Sequence, residues 1–204
     1  MKILLISDTH GNISRVMDIL QRIKDIDMIL HCGDYQSDAW SLEDSTGIPV
    51  ICVAGNCDGR LPDRKAVETP AGKLLITHGH MEGVNWTYNN LIFAAEEEQD
   101  CIAVCFGHTH VPLCEDVGGL WLVNPGSLTE PRGGSRPSYA ILRCEEDLFH
   151  ATLADYNTLM QTEAPHQDAA GTSGSGETPT QAAPKKKKAT GGFLRNLLNY
   201  SDRF

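Results

Sequence analysis

Short apolar runs that stop at polar residues dominate the first two thirds of the chain. Residues 3–6 are all Ile or Leu and end at Ser7-Asp8, which predicts a buried strand. After Gly11-Asn12, the residues Ile13, Val16, Met17, Leu20 and Ile23 recur at helical spacing. They predict an amphipathic helix capped by Ser14 or Asn12. Residues 28–30 predict a second strand, 38–45 a short helix ended by Gly47 and Pro49, and 50–53 a third strand. Residues 66–69 and 73–77 predict a hairpin around Ala71-Gly72. Residues 89–98 predict a helix with Leu91, Ile92, Ala94 and Ala95 inward. Further strands are expected at 102–106, at 111–117 and 120–123 joined through Gly118-Gly119, and at 138–144 and 147–154. The early strand-helix alternation predicts an α/β fold, to which the late hairpins add antiparallel strands.

Composition divides the chain. Residues 161–184 are rich in Thr, Ala, Gly, Ser and Pro and carry almost no large apolar side chain. Such a segment buries too little apolar surface to fold, so it is expected to be a disordered linker. Four lysines at 185–188 come next, then Gly191-Gly192 and a short apolar end. The expected organisation is a folded domain over 1–158, a linker with the lysine run over 159–192, and a short amphipathic helix over 193–204.

Charge divides in the same way. The formal net charge is −10, and from residue 159 onward six Lys or Arg face four acids. The first 158 residues therefore carry about −12. A body this acidic has little positive field with which to displace counterions from duplex DNA, so no stable duplex binding is expected. The seven cysteines form no CxxC pair and read as reduced thiols. The apolar start spans four residues before Asp8 and His10, too short for a signal peptide, and no stretch reaches membrane-span length. A cytoplasmic location is expected.

The polar residues at the strand ends mark the chemistry. The first run leads into Asp8 and His10, the second into Asp34, the third into Asn56. The run at 74–76 leads into His78, and that at 102–106 into His108 and His110. Ligands of open α/β sheets bind beyond the carboxyl ends of the strands, so strands sharing one sheet would bring all seven side chains to one crevice. Asp8 with His10, and His108 with His110, are spaced i, i+2, which puts each pair on one side of an extended segment. Oxygen and nitrogen donors of this kind suit Zn, Mn, Fe, Co or Ni. Seven exceed one tetrahedral ion and suit two divalent cations sharing a carboxylate. Mn is the first choice, with Zn, Ni, Fe or Co as alternatives. Such a centre supplies a local positive field for an anionic substrate. His31, inside a strand, reads as structural, as does His150, while His166 falls in the linker. His80 is left open between a substrate contact, a supporting residue and a surface group.

These residues resemble the calcineurin-like metallophosphoesterases. The matching motifs are Asp8-Thr9-His10, Gly33-Asp34, Gly55-Asn56-Cys57-Asp58, Thr77-His78-Gly79-His80 and Gly107-His108-Thr109-His110. Asn124-Pro125-Gly126-Ser127, with Pro131-Arg132-Gly133-Gly134 after it, is similar to the small bacterial and archaeal phosphodiesterases of the YfcE type. The resemblance implies a four-layer αββα sandwich over about residues 1–155. It implies one metal held by Asp8, His10, Asp34 and His110, and a second by Asp34, Asn56, His78 and His108. Asp34 would bridge them, and a hydroxide between the ions would attack phosphorus in line. It further implies catalytic roles for Asp34, Asn56, Cys57, Asp58 and His80, and substrate contacts from Asn56, Cys57, Ser127 and Arg132. The main departure is Cys57, where most of the family has a His that orients phosphate and protonates the leaving oxygen.

The function implied is metal-dependent hydrolysis of a small phosphoester, most readily a diester. The alternatives are a phosphomonoesterase or nucleotide hydrolase, and a non-catalytic scaffold of the kind that retromer's phosphoesterase-like subunit provides. Phe193, Leu194, Leu197 and Leu198 would share one helix face behind the lysine run, so the tail is a candidate for contact with an anionic membrane surface or a protein partner. Oligomeric state is left open, a homo-oligomer included.

Overall fold

The computed structural model describes residues 1–59, 61–146 and 148–162. The expected linker, lysine run and C-terminal helix lie outside these residues, as does His166. Among the described residues, ten strands build two five-stranded sheets. The first five are β1 (Lys2–Ile6), β2 (Met28–His31), β3 (Val50–Cys52), β4 (Arg64–Thr69) and β5 (Gly72–Thr77). The others are β6 (Cys101–Cys105), β7 (Leu113–Val117), β8 (Leu120–Asn124), β9 (Ser138–Glu145) and β10 (Leu148–Asp155). The helices are α1 (Ser14–Arg22), α2 (Gln36–Thr46), α3 (Asn89–Glu98) and α4 (Tyr156–Gln161). One sheet has the order β10-β9-β1-β2-β3, the other β4-β5-β6-β8-β7.

The apolar runs explain the layering. Successive side chains of a strand face opposite sides, so a continuous apolar run needs cover on both. Ile3 and Leu5 of β1 pack between the sheets with Leu74 and Ile76 of β5 and Ala103 and Cys105 of β6. Leu4 and Ile6 face outward onto Val16 and Ile19 of α1 and Leu42 of α2. On the far side, Leu75, Val104 and Leu122 pack against Leu91, Ile92, Ala94 and Ala95 of α3. Helix, sheet, sheet and helix thus stack as the αββα sandwich, and each sheet mixes parallel and antiparallel pairs.

Four local expectations are modified. The strands preceding the polar stops divide between the sheets: β1, β2 and β3 lie in one, β5 and β6 in the other. The one-sheet crevice is therefore a cleft between two facing sheets. The start of α1 carries no side-chain cap at its boundary residue Ile13, while Asn12 Oδ1 accepts from the Ser14 N–H at 3.0 Å, so Asn12 rather than Ser14 closes that turn. Helix α2 starts two residues early because Asp58 accepts from the Gln36 N–H at 2.8 Å. Helix α4 has no counterpart among the expected elements. It runs three residues past the compositional boundary at 158, with Leu159 against the α1 core and Arg22 Nε on Met160 Sδ at 3.2 Å. Among the described residues no helix is long and apolar enough to cross a membrane.

His31 does have a structural role, as expected. It is fully buried, and the Gly33 N–H donates to its Nδ1 at 3.2 Å. Its Nε2–H must then face Thr9 Oγ1, 2.9 Å away, and Thr9 passes its own proton to Asp38 at 2.6 Å. Asp38 also holds the Gly11 N–H at 2.8 Å, so this chain of bonds clamps the loop that carries Asp8 and His10. A proton on Nδ1 would oppose Gly33, and burial pushes the pKa of His31 down against the pull of Asp8 and Asp38. The unfolded reference is about 6.5. His31 therefore contributes its full stability above that value and loses it as pH falls toward the depressed folded pKa. The limiting slope is about 1.4 kcal/mol per pH unit. Urea unfolding of the metal-free protein between about pH 5 and 7 should show a steeper loss of stability for wild type than for His31→Gln. Equal slopes would contradict the assignment.

Candidate metal centre

The loops after the strands, not the strands themselves, aim the polar side chains. Among the described residues nine non-glycine positions have positive φ, and five of them are Asp8, His10, Asp34, His108 and His110. Their φ values lie between 48° and 66°, a left-handed conformation that non-glycine residues adopt at a cost of roughly 1–3 kcal/mol each. The i, i+2 pairs are therefore not extended, and their common aim comes from this tightly turned backbone. Such strain persists only where surrounding bonds enforce it. Asp8 N–H donates to Gly33 O at 3.1 Å and Gly107 N–H to His78 O at 3.1 Å. His108 N–H crosses between the sheets to Asp8 Oδ2 at 3.0 Å.

Two clusters result. Asp8, His10 and His110 form one, and Asp8, Asp34 and His78 the other, with the donor atoms of each within 4.8 Å of one another. Asp8 belongs to both. Asn56 joins the second, its Oδ1 3.2 Å from His78 Nε2. Asp34, the bridge that the resemblance implies, lies 3.5 Å from His78 Nε2 and accepts from the Cys57 N–H at 3.0 Å. His108 is in neither cluster, and its Nε2 accepts from the Asn85 amide at 2.9 Å.

The imidazole tautomers can be read from their outer bonds. His78 Nδ1 lies 2.8 Å from Cys32 O, and His110 Nδ1 2.6 Å from Glu130 O. A carbonyl only accepts, so both Nδ1 atoms carry hydrogen and both Nε2 atoms turn toward Asp8. Asp8 is completely buried and its Oδ1 accepts no hydrogen bond. Facing it are His110 Nε2 at 3.2 Å and His78 Nε2 at 3.9 Å, with His10 Nε2 3.4 Å from His110 Nε2. Lone pairs converging on a buried carboxylate repel unless a proton or cation lies among them. Burial works against the Asp8 carboxylate, yet His110 and His78 outweigh it and hold its pKa below the ordinary value. Burial likewise lowers His110, and Asp8 more than restores it, so its pKa ends above the ordinary value. The pocket thus favours positive charge at its centre, and the donor set fits divalent metal.

The other expected site residues take different places. Ser127 is buried behind Asp8, its hydroxyl donating to Asp8 O at 2.9 Å and accepting from the Glu130 N–H at 2.9 Å. Asp58 spends both carboxylate oxygens on backbone, at Gln36 and Gly55, and so joins the Asp34 and Asn56 loops. Arg132 is exposed, and its N–H is tied to His110 O at 3.2 Å. Cys57 is exposed at the rim, where residual burial and the Asp34 carboxylate push its thiol pKa up. His80 packs its ring 5.2 Å from that of His78, and its buried Nδ1 has no hydrogen-bond partner. Tyr35, next to Asp34 in sequence, stands edge-on to His10 at 5.3 Å. Neither Tyr35 nor Asn85 is marked by the strand-end pattern; the position of Tyr35 directly after Gly33-Asp34 is the signal that could have found it.

Two glycines make room for the carboxylates. A Cβ on Gly55 would collide with Asp34 Oδ1 and N, and one on Gly107 would collide with Ser7 Oγ and come within 2.7 Å of Asp8 Oδ2. Gly55→Ala should therefore displace Asp34, and misplacement by about 1 Å at a reacting centre costs on the order of 10²-fold in rate. Metal content and turnover together check this; full activity in a folded Gly55→Ala protein would contradict the geometry.

Paired imidazole and carboxylate clusters in a cleft, sharing a carboxylate whose Oδ1 accepts no hydrogen bond, mark a metal-dependent hydrolase. Residues 1–147 match the calcineurin-like phosphoesterase superfamily domain, and the chain belongs to that family. A probable metallophosphoesterase of Bacillus subtilis, YsnB, is 37% identical over 162 residues, covering 77% of this chain and 91% of the relative. The phosphodiesterase YfcE of Escherichia coli is 35% identical over 104 residues, 46% of this chain and 52% of that protein. A solved structure of a predicted phosphoesterase from Streptococcus pneumoniae shares the fold with a TM-score of 0.64 at 27% identity, covering 76% of this chain and 90% of that one.

Proposed function

We propose that this protein hydrolyses small phosphodiesters with two divalent ions held in the paired clusters, Mn being the first choice. The observation that carries the reading is the buried Asp8 Oδ1, without a hydrogen bond, facing imidazoles whose tautomers are fixed by backbone carbonyls. Bound divalent ions supply Lewis acidity and lower the pKa of water toward neutrality. The chain's own residues do the rest. Asp8 and Asp34 leave a net positive centre against two divalent ions, which attracts the substrate anion to an otherwise acidic protein. His10 and His110 would hold one ion and Asp34, Asn56 and His78 the other, with His108 Nε2 a further donor for the second. Arg132, at the exposed rim, stabilises phosphate charge. The Cys57 thiol stays protonated and is a poor acid, so the site favours leaving groups that need little protonation. His80, with a free buried Nδ1, is the group placed to carry a proton behind His78.

Hydrolysis of bis(p-nitrophenyl) phosphate against p-nitrophenyl phosphate tests the reading. The protein is stripped of metal and reloaded separately with Mn, Ni, Zn and Mg. Metal-dependent turnover with a preference for the diester is expected. Preference for the monoester establishes a phosphomonoesterase, and metal binding without turnover of either leaves a binding scaffold.

The catalytic unit is proposed to be residues 1–158 together with the rest of α4. A chain ending at residue 162 should retain full diesterase activity. If the remaining residues contact anionic membrane, only the full chain sediments with phosphatidylserine vesicles at low salt. Lost activity in a folded truncated chain would place the tail inside the active unit.

A further inference from the structure

The loop from Gly79 to α3 forms a groove beside the metal centre. The groove encloses about 560 Å³ and is lined by Asn85, Trp86, Thr87, Tyr88, Thr109 and Val111, among others. Thr109 and Val111 alternate with His108 and His110, so one stretch of chain turns donors toward the centre and lines the groove. The two also meet at the hydrogen bond from Asn85 to His108, 2.9 Å long. Trp86 is 86% exposed, the most exposed of the large apolar residues described. Its loop is nevertheless firmly held. Glu82 is buried, pairs with Arg64 Nε at 2.6 Å, accepts from Thr77 Oγ1 at 3.0 Å, and its carbonyl takes the Asn90 amide at 2.9 Å. Trp86 N–H closes on Gly83 O at 2.9 Å, and the Tyr88 ring is fixed 5.5 Å from that of Phe106.

We propose that Trp86 is a stacking platform for a flat aromatic substituent on the substrate's phosphate, which makes it the specificity-determining residue of the site. This rests on the reading of the neighbouring centre as a phosphoester site. An indole carried on a firmly held backbone and left open to water gains by covering its face, and an ester group reaching out from a phosphate held at His108 is the partner within reach. The rim favours a ring over an alkyl chain. Asn85, Thr87 and Thr109 offer hydrogen-bonding groups around an apolar floor, which suits a planar ring with polar edges such as a nucleobase.

The test uses phosphonates, which carry no hydrolysable ester, titrated calorimetrically into the Mn-loaded full chain. The probes are methylphosphonate, cyclohexylphosphonate, phenylphosphonate and the phosphonate isostere of thymidine 5′-phosphate. The two aromatic probes should bind about tenfold tighter than methylphosphonate, with cyclohexylphosphonate between. Trp86→Ala should bring the aromatic probes to within about twofold of methylphosphonate, whose own affinity stays constant, while Trp86→Phe keeps most of the difference. An advantage of thymidine over phenyl assigns the groove to a nucleobase; equal affinity assigns it to a simple aryl group. Absence of any ring preference, or equal weakening of all probes in Trp86→Ala, overturns the proposal. If neither methylphosphonate nor inorganic phosphate binds the metal-loaded protein, the phosphoester reading of the centre itself fails and takes this inference with it.

Discussion

Replacing Asp8 with Asn is expected to lower metal-dependent hydrolysis by roughly 10³-fold, the scale of the charge stabilisation a divalent centre supplies. Asp8 is the residue common to both clusters, and its Oδ1 accepts no hydrogen bond. The substitution keeps the size of the side chain and an oxygen able to accept from His108 N–H, so the loop crossing between the sheets should survive. What is lost is the negative charge at the point where His10, His78 and His110 converge. Metal analysis should find fewer than two ions per chain. Added Mn should raise the melting temperature of wild type by mass action and leave that of the variant almost unchanged. Asp34→Asn provides the comparison, because Asp34 belongs to one cluster and its Oδ1 is already engaged by the Cys57 N–H. If Asp34→Asn is the more damaging of the two, Asp34 is the bridge that the family resemblance implies. A variant of Asp8 that keeps both ions and full turnover would overturn the centre as described.

The donors of this centre are legible in the sequence because an apolar run ending in Asp, His or Asn is a one-dimensional signal. So is the layering, since uninterrupted runs such as residues 3–6 need cover on both faces. The assignment of strands to sheets is not legible. Residues 28–30 and 74–76 look alike as runs, and only long-range pairing sends one to each sheet. The conformation of the donors is hidden for a related reason. Spacing i, i+2 suggests extended chain, but Asp8, His10, His108 and His110 are left-handed, enforced by bonds from Gly33, His78 and across the sheets. The backbone bonds of polar side chains are not legible either. Asp58 and Ser127 fall inside family motifs, yet their oxygens are spent on the Gln36 and Gly55 amides and on the Asp8 loop. Helix α4 leaves almost no periodic signal, because its six residues have no buried side chain.

Replacing Cys57 with His is expected to raise monoesterase activity relative to diesterase activity by on the order of 10²-fold or more, the usual worth of a well-placed general acid. Cys57 occupies the rim next to Asn56, whose amide reaches its sulfur at 3.4 Å, and its own N–H is fixed on Asp34. The backbone at this position is thus anchored to the metal centre whatever the side chain. A thiol there stays protonated at neutral pH, because residual burial and Asp34 push its pKa upward. A group so weakly acidic gives little help to a departing alkoxide. The neighbouring carboxylates that hold the thiol's proton would favour the charged form of an imidazole, so histidine at 57 would arrive as an imidazolium beside the leaving oxygen. The gain should be largest for alkyl monoesters and smallest for p-nitrophenyl esters, whose leaving group needs no proton. Values of kcat/KM for an alkyl and an aryl ester of each class, measured in wild type and Cys57→His at equal metal content, separate these effects. A constant monoester-to-diester ratio across both leaving groups would show that position 57 does not govern proton delivery, and would move that task to the unpartnered Nδ1 of His80.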